Sequence, residues 1–236
     1  MNIELDVHTH TLVSGHAYSS LQEMVYAATT KGLKLLGITE HGPAIPGTCD
    51  PIYFRNMHVV PRHMYNMDLL LGAEANILDC HGNLDLDERH LKLLDFCIAG
   101  IHSLCYAQNN RAANTKGVIE VIRNPYVQII SHPGDGTAEL DFRQLVVEAK
   151  KNNKLLEINN SSLKPCRNKS QARANNLSIL QWCHHYDVPV LLGSDAHISF
   201  DVANFEYLEA LLQEIDFPEE LIINTDVTQF RAYLGI

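Results

Sequence analysis

The sequence predicts an α/β protein whose parallel strands close into a barrel, and three observations lead there. Short apolar runs alternate with helical patterns from one end of the chain to the other. Seven such runs occur with no low-complexity linker between them, and that many strand–helix units in one chain favour closure. The 236 residues, 46% of them hydrophobic, suffice for one core. A chain of this size buries roughly 70–75% of its unfolded surface, so one domain over 1–236 is expected. A doubly wound open sheet is the structural alternative.

Taken in order, the strands are expected at 3–8, 33–39, 68–74, 95–101, 127–131, 155–159 and 188–193. After the first, Ser20-Leu-Gln-Glu23 has the form of a capping box, in which a serine hydroxyl and a later glutamate satisfy free amides of the first helical turn. Gly32 stands where that helix should stop. Asp141-Phe-Arg-Gln144 repeats the starting signal before the sixth strand, and further helices are expected at 88–94, 115–123, 170–186, 204–215 and 228–234. Two segments, 42–62 and 77–87, break the rhythm as long loops behind the second and third strands. No GxGxxG or P-loop glycine pattern is present, which argues against the common dinucleotide and nucleoside-triphosphate enzymes.

Charge narrows the partners. With 18 basic against 28 acidic side chains the net charge is −10, which opposes a broad grip on extended nucleic acid or on anionic lipid. A small anionic ligand held locally stays compatible. The opening MNIELDVHTH places charge and histidine where a secretory signal needs an apolar core, and no window approaches the ~20 apolar residues of a membrane span. A cytoplasmic protein is expected. The six cysteines have no CxxC or CxxxC spacing, so neither a zinc ribbon nor a disulfide framework is indicated.

Histidine is the compositional outlier, at 13 residues, and its placement matters more than its number. The carboxyl ends of the expected strands read Asp6-Val-His8-Thr-His10, Glu40-His41, Glu74-Ala-Asn, Ile101-His102, Ser131-His132 and Gly193-Ser-Asp195-Ala-His197, with His16 following in the first loop. In a closed parallel barrel all these ends converge on one face. Residues two apart on a strand share a side, which places His8 with His10 and Asp195 with His197 as chelating pairs. Asp6, on the same parity, is placed to accept a hydrogen bond from a ligand imidazole. Imidazole and carboxylate without thiolate suit zinc, manganese or iron.

Taken singly, each of these histidines has an ordinary reading as a hydrogen-bonded side chain at a loop end, and Glu74 one as a capping or salt-bridged carboxylate; the joint arrangement is what points to metal. His58, His63, His81, His90, His184 and His185 fall in loops or predicted helices and are expected not to be ligands. The acidic run 85–88 reads as a solvated turn.

These residues resemble the PHP superfamily, named for polymerase and histidinol phosphatase, and in particular its small stand-alone phosphatases of YcdX type. DVHTH at the start, TEHGP at residues 39–43, GAEANI around Glu74, AGIHS around His102, ISHPG around His132, EINNSS from Glu157 and GSDAH ending at His197 carry the resemblance over nearly the whole chain. It implies a distorted seven-stranded (β/α)7, TIM-like barrel with three divalent ions at its carboxyl face, zinc foremost and manganese or iron as alternatives. By motif, His8, His10, Glu74 and Asp195 would hold one ion; His16, His41 and His197 a second; Glu74, His102 and His132 the third, with Glu74 as the bridge. Glu74 and Asp195 are the carboxylates it makes catalytic. One departure is Glu40, where many relatives have Asp; with His41 retained, altered support around the site is expected rather than a lost ion.

The implied chemistry is hydrolysis of small phosphate monoesters, whose uncatalysed rates are so low that enzymes supply accelerations of up to about 10²¹-fold. Clustered cations would bind phosphoryl oxygens, turn a bridging water into hydroxide near neutral pH and stabilise the leaving alkoxide. Arg55, Arg62, Lys164 and Arg167 could grip the substrate or merely solubilise the surface. Two competing readings are an amidohydrolase-like metal hydrolase, for which the histidines are too many, and a non-catalytic metal-binding module of the same family, against which the complete ligand set speaks.

Overall fold

The computed structural model describes residues 1–236. Its strands are β1 (Leu5–Asp6), β2 (Leu35–His41), β3 (His63–Met64), β4 (Met67–Asn76), β5 (Phe96–Gly100), β6 (Ile129–Ile130), β7 (Leu155–Asn159) and β8 (Val190–Gly193). Seven of them form a parallel sheet in chain order, β1-β2-β4-β5-β6-β7-β8, while β3 folds back antiparallel on β4. The helices are α1 (Leu21–Thr30), α2 (Ile52–Arg55), α3 (Glu88–Leu91), α4 (Arg111–Ile122), α5 (Phe142–Asn152), α6 (Ala172–Tyr186), α7 (Glu206–Glu214) and α8 (Val227–Leu234). The sheet is a nearly closed TIM-like barrel, as the strand count predicts.

Closure between β8 and β1 is made in two ways. Near the carboxyl ends the chains meet directly, Thr9 bridging Ala196 in parallel. Lower down, Ile222 bridges Val190, and the Asn224 side chain stands in for a missing ladder. It accepts from Leu192 N (2.7 Å) and donates to the carbonyls of Leu192 (2.8 Å) and Leu5 (3.1 Å). Such buried backbone groups must be paired, and one amide with two donors and an acceptor serves both strands.

The register puts two layers on the inner face of the barrel. Leu5, Leu35, Leu70, Phe96, Ile129, Leu155 and Leu191, one from each parallel strand, form a buried cluster with Val7, Ile98, Ile223 and Phe230. Phe230 of α8 meets the Phe96 ring edge to face, centroids 6.4 Å apart, and plugs the amino-terminal end. Strand side chains alternate with period two, so two to six residues further along the same face stand His41, Glu74, His102, Ser131, Glu157 and Asp195. The outward positions (Leu36, Ile38, Leu71, Ala73, Cys97, Ala99, Leu156, Ile158, Leu192) join the larger core beneath the helices.

The local signals translate into contacts. Ser20 and Glu23 form the reciprocal capping box of α1, and Asp141 caps α5 through Gln144 N (3.1 Å). α3 is shorter than expected, ending at Leu91, and α4 begins earlier, at Arg111, because Asn110 caps it through Ala113 N. The acidic run at 85–88 is not simply solvated. Asp85 turns inward and accepts from Ala44 N (2.9 Å) and Asn76 N (2.8 Å), tying the loop after β2 to the end of β4. No helix is long and apolar enough to cross a membrane.

Candidate metal centre

The upper layer gathers the strand-end residues around Glu74. This carboxylate is fully buried near the carboxyl end of β4, and its two oxygens face different partners. Oε2 lies 3.4 Å from His8 Nε2, 3.5 Å from His10 Nε2 and 2.9 Å from His41 Nδ1. Oε1 lies 2.8 Å from His132 Nε2 and 3.4 Å from His102 Nε2, and accepts the Ser131 hydroxyl at 2.7 Å. Asp195 Oδ1 completes the first side, 3.7 Å from His8 Nε2 and 3.4 Å from His10 Nε2. His16 and His197 meet at the mouth, Nε2 to Nε2, at 3.0 Å. All nine residues singled out in the sequence therefore lie in one cluster.

The grouping differs from that implied by the resemblance in each of its three sets. His41 stacks on His16, centroids 4.9 Å apart, yet its Nδ1 turns toward Glu74. Potential ligand atoms converge within 4.8 Å in three sets, namely His10, His41 and His197; His8, His10 and Glu74; and His41, Glu74 and His102. His10, His41 and Glu74 are thus each shared between two neighbouring sets, while His16, His132 and Asp195 stand beside the sets and in none of them. The other histidines stay outside. His58 bonds Arg55 O, His63 bonds Asp68, His90 bonds Asp87, and His184 and His185 are exposed on α6 beside Phe217 and Trp182.

Whether divalent cations fit this cluster can be judged from its donor set. His8 Nδ1 donates to Glu157 Oε1 (2.6 Å), and His197 Nδ1 to the Asp195 carbonyl (3.0 Å). Ser14 gives its own proton to Glu40 Oε2 (2.6 Å), so its oxygen must accept from His10 Nδ1 (3.1 Å) and His41 N (3.0 Å). With their Nδ1 protons so committed, His8, His10 and His197 in their neutral forms direct bare Nε2 lone pairs into the cluster, those of His8 and His10 only 3.1 Å apart. Glu74 Oε2 and His41 Nδ1, although close, are buried without an aligned hydrogen bond. Lone pairs crowded in this way are costly unless a cation lies among them, so the residues fit the metal that the motifs imply.

Electrostatics divides the imidazoles into two groups. Burial, with His41 and His197 alongside, holds His10 well below the ordinary imidazole range. Burial pushes His41 down to about 4 against the pull of Glu74. For Glu74 and Asp195 burial opposes ionisation, but the neighbouring histidines, His8 foremost, outweigh it and keep both carboxyls well below their usual range. At His8 and His132 burial opposes the charged form but is outweighed, Glu157 and Glu74 holding His8 well above the ordinary imidazole range and Glu74 raising His132; metals bind ionised carboxylate and neutral imidazole, so a cation here competes with protons at these two rings.

Two of the site backbones are strained. His132 and Asp195 both have positive φ, 33° and 53°, a left-handed conformation that side chains with a Cβ rarely adopt and that clusters at functional sites. His132 directly follows the inward-facing Ser131, and Asp195 follows Ser194, whose hydroxyl is turned to Asp6 on the outer side.

Asp6 is not placed as its parity suggests. Its carboxylate accepts from Ser194 Oγ (2.5 Å) and Ala203 N (2.8 Å), on the outer side of the β8–β1 seam. The ladder of β1 ends at Asp6, and alternation breaks between Val7, which joins the interior plug, and His8, which also faces inward. The imidazole partner is instead Glu157, which the sequence does not single out beyond its place in EINNSS. Its signal was one ionisable residue in the otherwise uncharged run Leu-Leu-Glu-Ile-Asn of a fully buried strand. Glu40 supports the site at one remove, binding Thr11 N (3.1 Å) as well as Ser14. Among the basic candidates, Arg62 is committed to Asp95 and to the carbonyls of Met57 and Val60, and Lys164 to Asp201. Arg55 and Arg167 are exposed.

Comparison with known proteins gives a consistent picture. The PHP domain matches residues 6–161. The chain is 43% identical over 236 residues to a protein of Caldicellulosiruptor bescii named "probable phosphatase", covering 100% of this chain and 97% of that relative. The structure of a protein from Listeria monocytogenes assigned as the histidinol phosphatase hisK superposes with a TM-score of 0.65 at 16% identity, covering 87% of this chain and 99% of that one. A histidinol phosphate phosphatase from Lactococcus lactis, solved with zinc, L-histidinol and phosphate, gives 0.59 at 17% identity and covers 91% and 94%. At these identities the two structures speak to the fold alone.

Proposed function

The chain belongs to the PHP-domain family, and from that premise we propose that it is a metal-dependent phosphatase hydrolysing small phosphate monoesters at a trinuclear centre, with zinc the foremost candidate and manganese or iron the alternatives. One observation carries the reading: a buried Glu74 whose two oxygens face two different sets of imidazoles, with bare nitrogen lone pairs crowded around it. His8, His10, Glu74 and Asp195 would hold one ion, His16, His41 and His197 a second, and Glu74, His102 and His132 a third. A carboxylate can reach two ions through its two oxygens, which an imidazole cannot do through one nitrogen.

Bound there, such ions would supply charge for the phosphoryl oxygens and a water acidified to a nucleophile near neutral pH. The chain's own contribution is placement and polarity. His8, His10 and Glu74 are sealed from solvent, whereas the side chains of His102, Asp195 and His197 keep 15–17% exposure and form the open side by which an ester enters. Three dications would exceed the charge of the two carboxylates, leaving a locally positive pocket in a chain of net charge −10. That contrast selects small phosphates over polyanions, which a negative surface repels.

The test is a screen of small phosphorylated metabolites with metal-reconstituted protein. Phosphate release that vanishes with a chelator and returns with zinc or manganese is expected. Full activity in metal-free protein would contradict the proposal.

A further inference from the structure

Glu157 sits beneath the nine clustered residues on β7, fully buried, and belongs to none of the sets in which ligand atoms converge. Its two oxygens have separate duties. Oε1 accepts the His8 Nδ1 proton at 2.6 Å, and Oε2 accepts the backbone N–H of His132 at 2.6 Å and an Asn159 Nδ2 proton at 3.3 Å. The fold makes room for this carboxylate at the neighbouring strand. A Cβ at Gly193 would stand 1.6 Å from Oε1, so no other residue type is compatible with Glu157 as placed.

We propose that Glu157 is a positioning residue that joins the two sides of the centre, fixing the tautomer of His8 through one oxygen and the left-handed turn of His132 through the other. His8 Nε2 faces Glu74 Oε2 and Asp195, while His132 Nε2 faces Glu74 Oε1. One buried carboxylate on β7 therefore orients a residue on each side of Glu74, and it does so without joining any set of converging ligand atoms. The backbone of His132, at φ 33°, is a conformation that persists only where surrounding structure over-determines it, and the short bond to Glu157 is one such determinant.

The chemistry of the bonds makes the role sharp. A carboxylate accepts at both ends, whereas the amide of a glutamine accepts at one and donates at the other. The N–H of His132 is a fixed donor, so in a Glu157→Gln variant the amide oxygen is held on that side and its NH2 lies against His8 Nδ1. A neutral imidazole meets a donor there only by carrying its proton on Nε2. The lone pair that His8 offers the cluster is then lost, although shape and burial are unchanged. Partners of metal-binding histidines typically contribute 10–100-fold to metal affinity.

This inference rests on reading the cluster as a metal centre, but its main readout needs neither metal nor turnover. Long-range 1H–15N correlation of histidine-labelled, metal-free protein, at a pH where the ring is neutral, reports which nitrogen of His8 carries the proton; the signal is assigned by its loss in His8→Gln. The wild type should show Nδ1–H, and folded Glu157→Gln should show Nε2–H together with zinc binding weakened about 10–100-fold in a chelator competition. A wild-type ring protonated at Nε2, a variant that keeps Nδ1–H, or unchanged zinc affinity would each overturn the proposal. If Glu157→Gln does not fold, the wild-type spectrum decides by itself. Absence of phosphatase activity would instead sink the functional reading and leave the tautomer result standing.

Discussion

The inner face of the barrel holds two regions built on the same strands a few residues apart, and they are stabilised by opposite means. The lower one, around Phe96 and Phe230, is apolar and satisfied by packing alone. The upper one, around Glu74, is equally buried yet consists of carboxylates and imidazoles, several without a full set of partners. Burial of the first kind stabilises a chain by roughly 1.5–3 kcal/mol per large side chain. Burial of the second kind costs energy unless each charge is met. The lower layer is thus the part that holds the barrel together, and the upper layer is tolerated because it rests on that support and because its groups are arranged for something they do not themselves contain.

Breaking the upper region at its centre should have the largest consequence. Glu74→Gln keeps the shape but removes the charge shared by both sides, so turnover should fall by about 10²–10³-fold, as it does when electrostatic stabilisation is removed from an active site. Elemental analysis should show at least two of three ions lost, whereas His41→Ala should mainly disturb one.

Breaking the lower region should do the reverse. The Phe96 ring lies against Gly72 and close to Gly37, positions where a Cβ would meet it at about 3 Å. Phe96→Ala should cost about 3–5 kcal/mol in denaturant unfolding, while the folded fraction keeps its metal and its rate. A fall in metal content per folded chain comparable to that of Glu74→Gln would erase the distinction between the layers.

Support between the two extremes should give intermediate effects. Ser14→Ala leaves His10 Nδ1 and the amide of His41 without their acceptor, and Glu40 Oε2 without one of its donors. About 1–3 kcal/mol of stability should be lost, with metal binding weakened roughly tenfold. The smallest effect is expected from His184→Ala and His185→Ala, which are exposed on α6. Stability should stay within about 0.5 kcal/mol, and the rate of phosphate release should be unchanged.

How much of this was legible in the sequence follows from the same contrast. Apolar runs such as 155–159 announce their strands because a strand buried on both faces has little choice of residue, and the site residues announce themselves because they end those runs. The hairpin of β3 and β4 was not legible, since its turn places Tyr65 and Asn66 at φ 51° and 60°, and only the asparagine is a usual sign of that conformation. The supporting roles were hidden for a different reason. Glu157, Ser14 and Asp85 act through partners 149, 26 and 41 residues away, and no local pattern records such pairs. Asp6 was misplaced because parity presumes an unbroken ladder, and β1 stops at that residue.

Metal content and turnover should rise together in this protein. Metal-free protein titrated with zinc, with phosphate release from a small monoester followed at each addition, should be inactive at the start and reach full rate as bound metal approaches three ions per chain. Full rate without metal, or a rate that saturates at one tightly held ion, would contradict it.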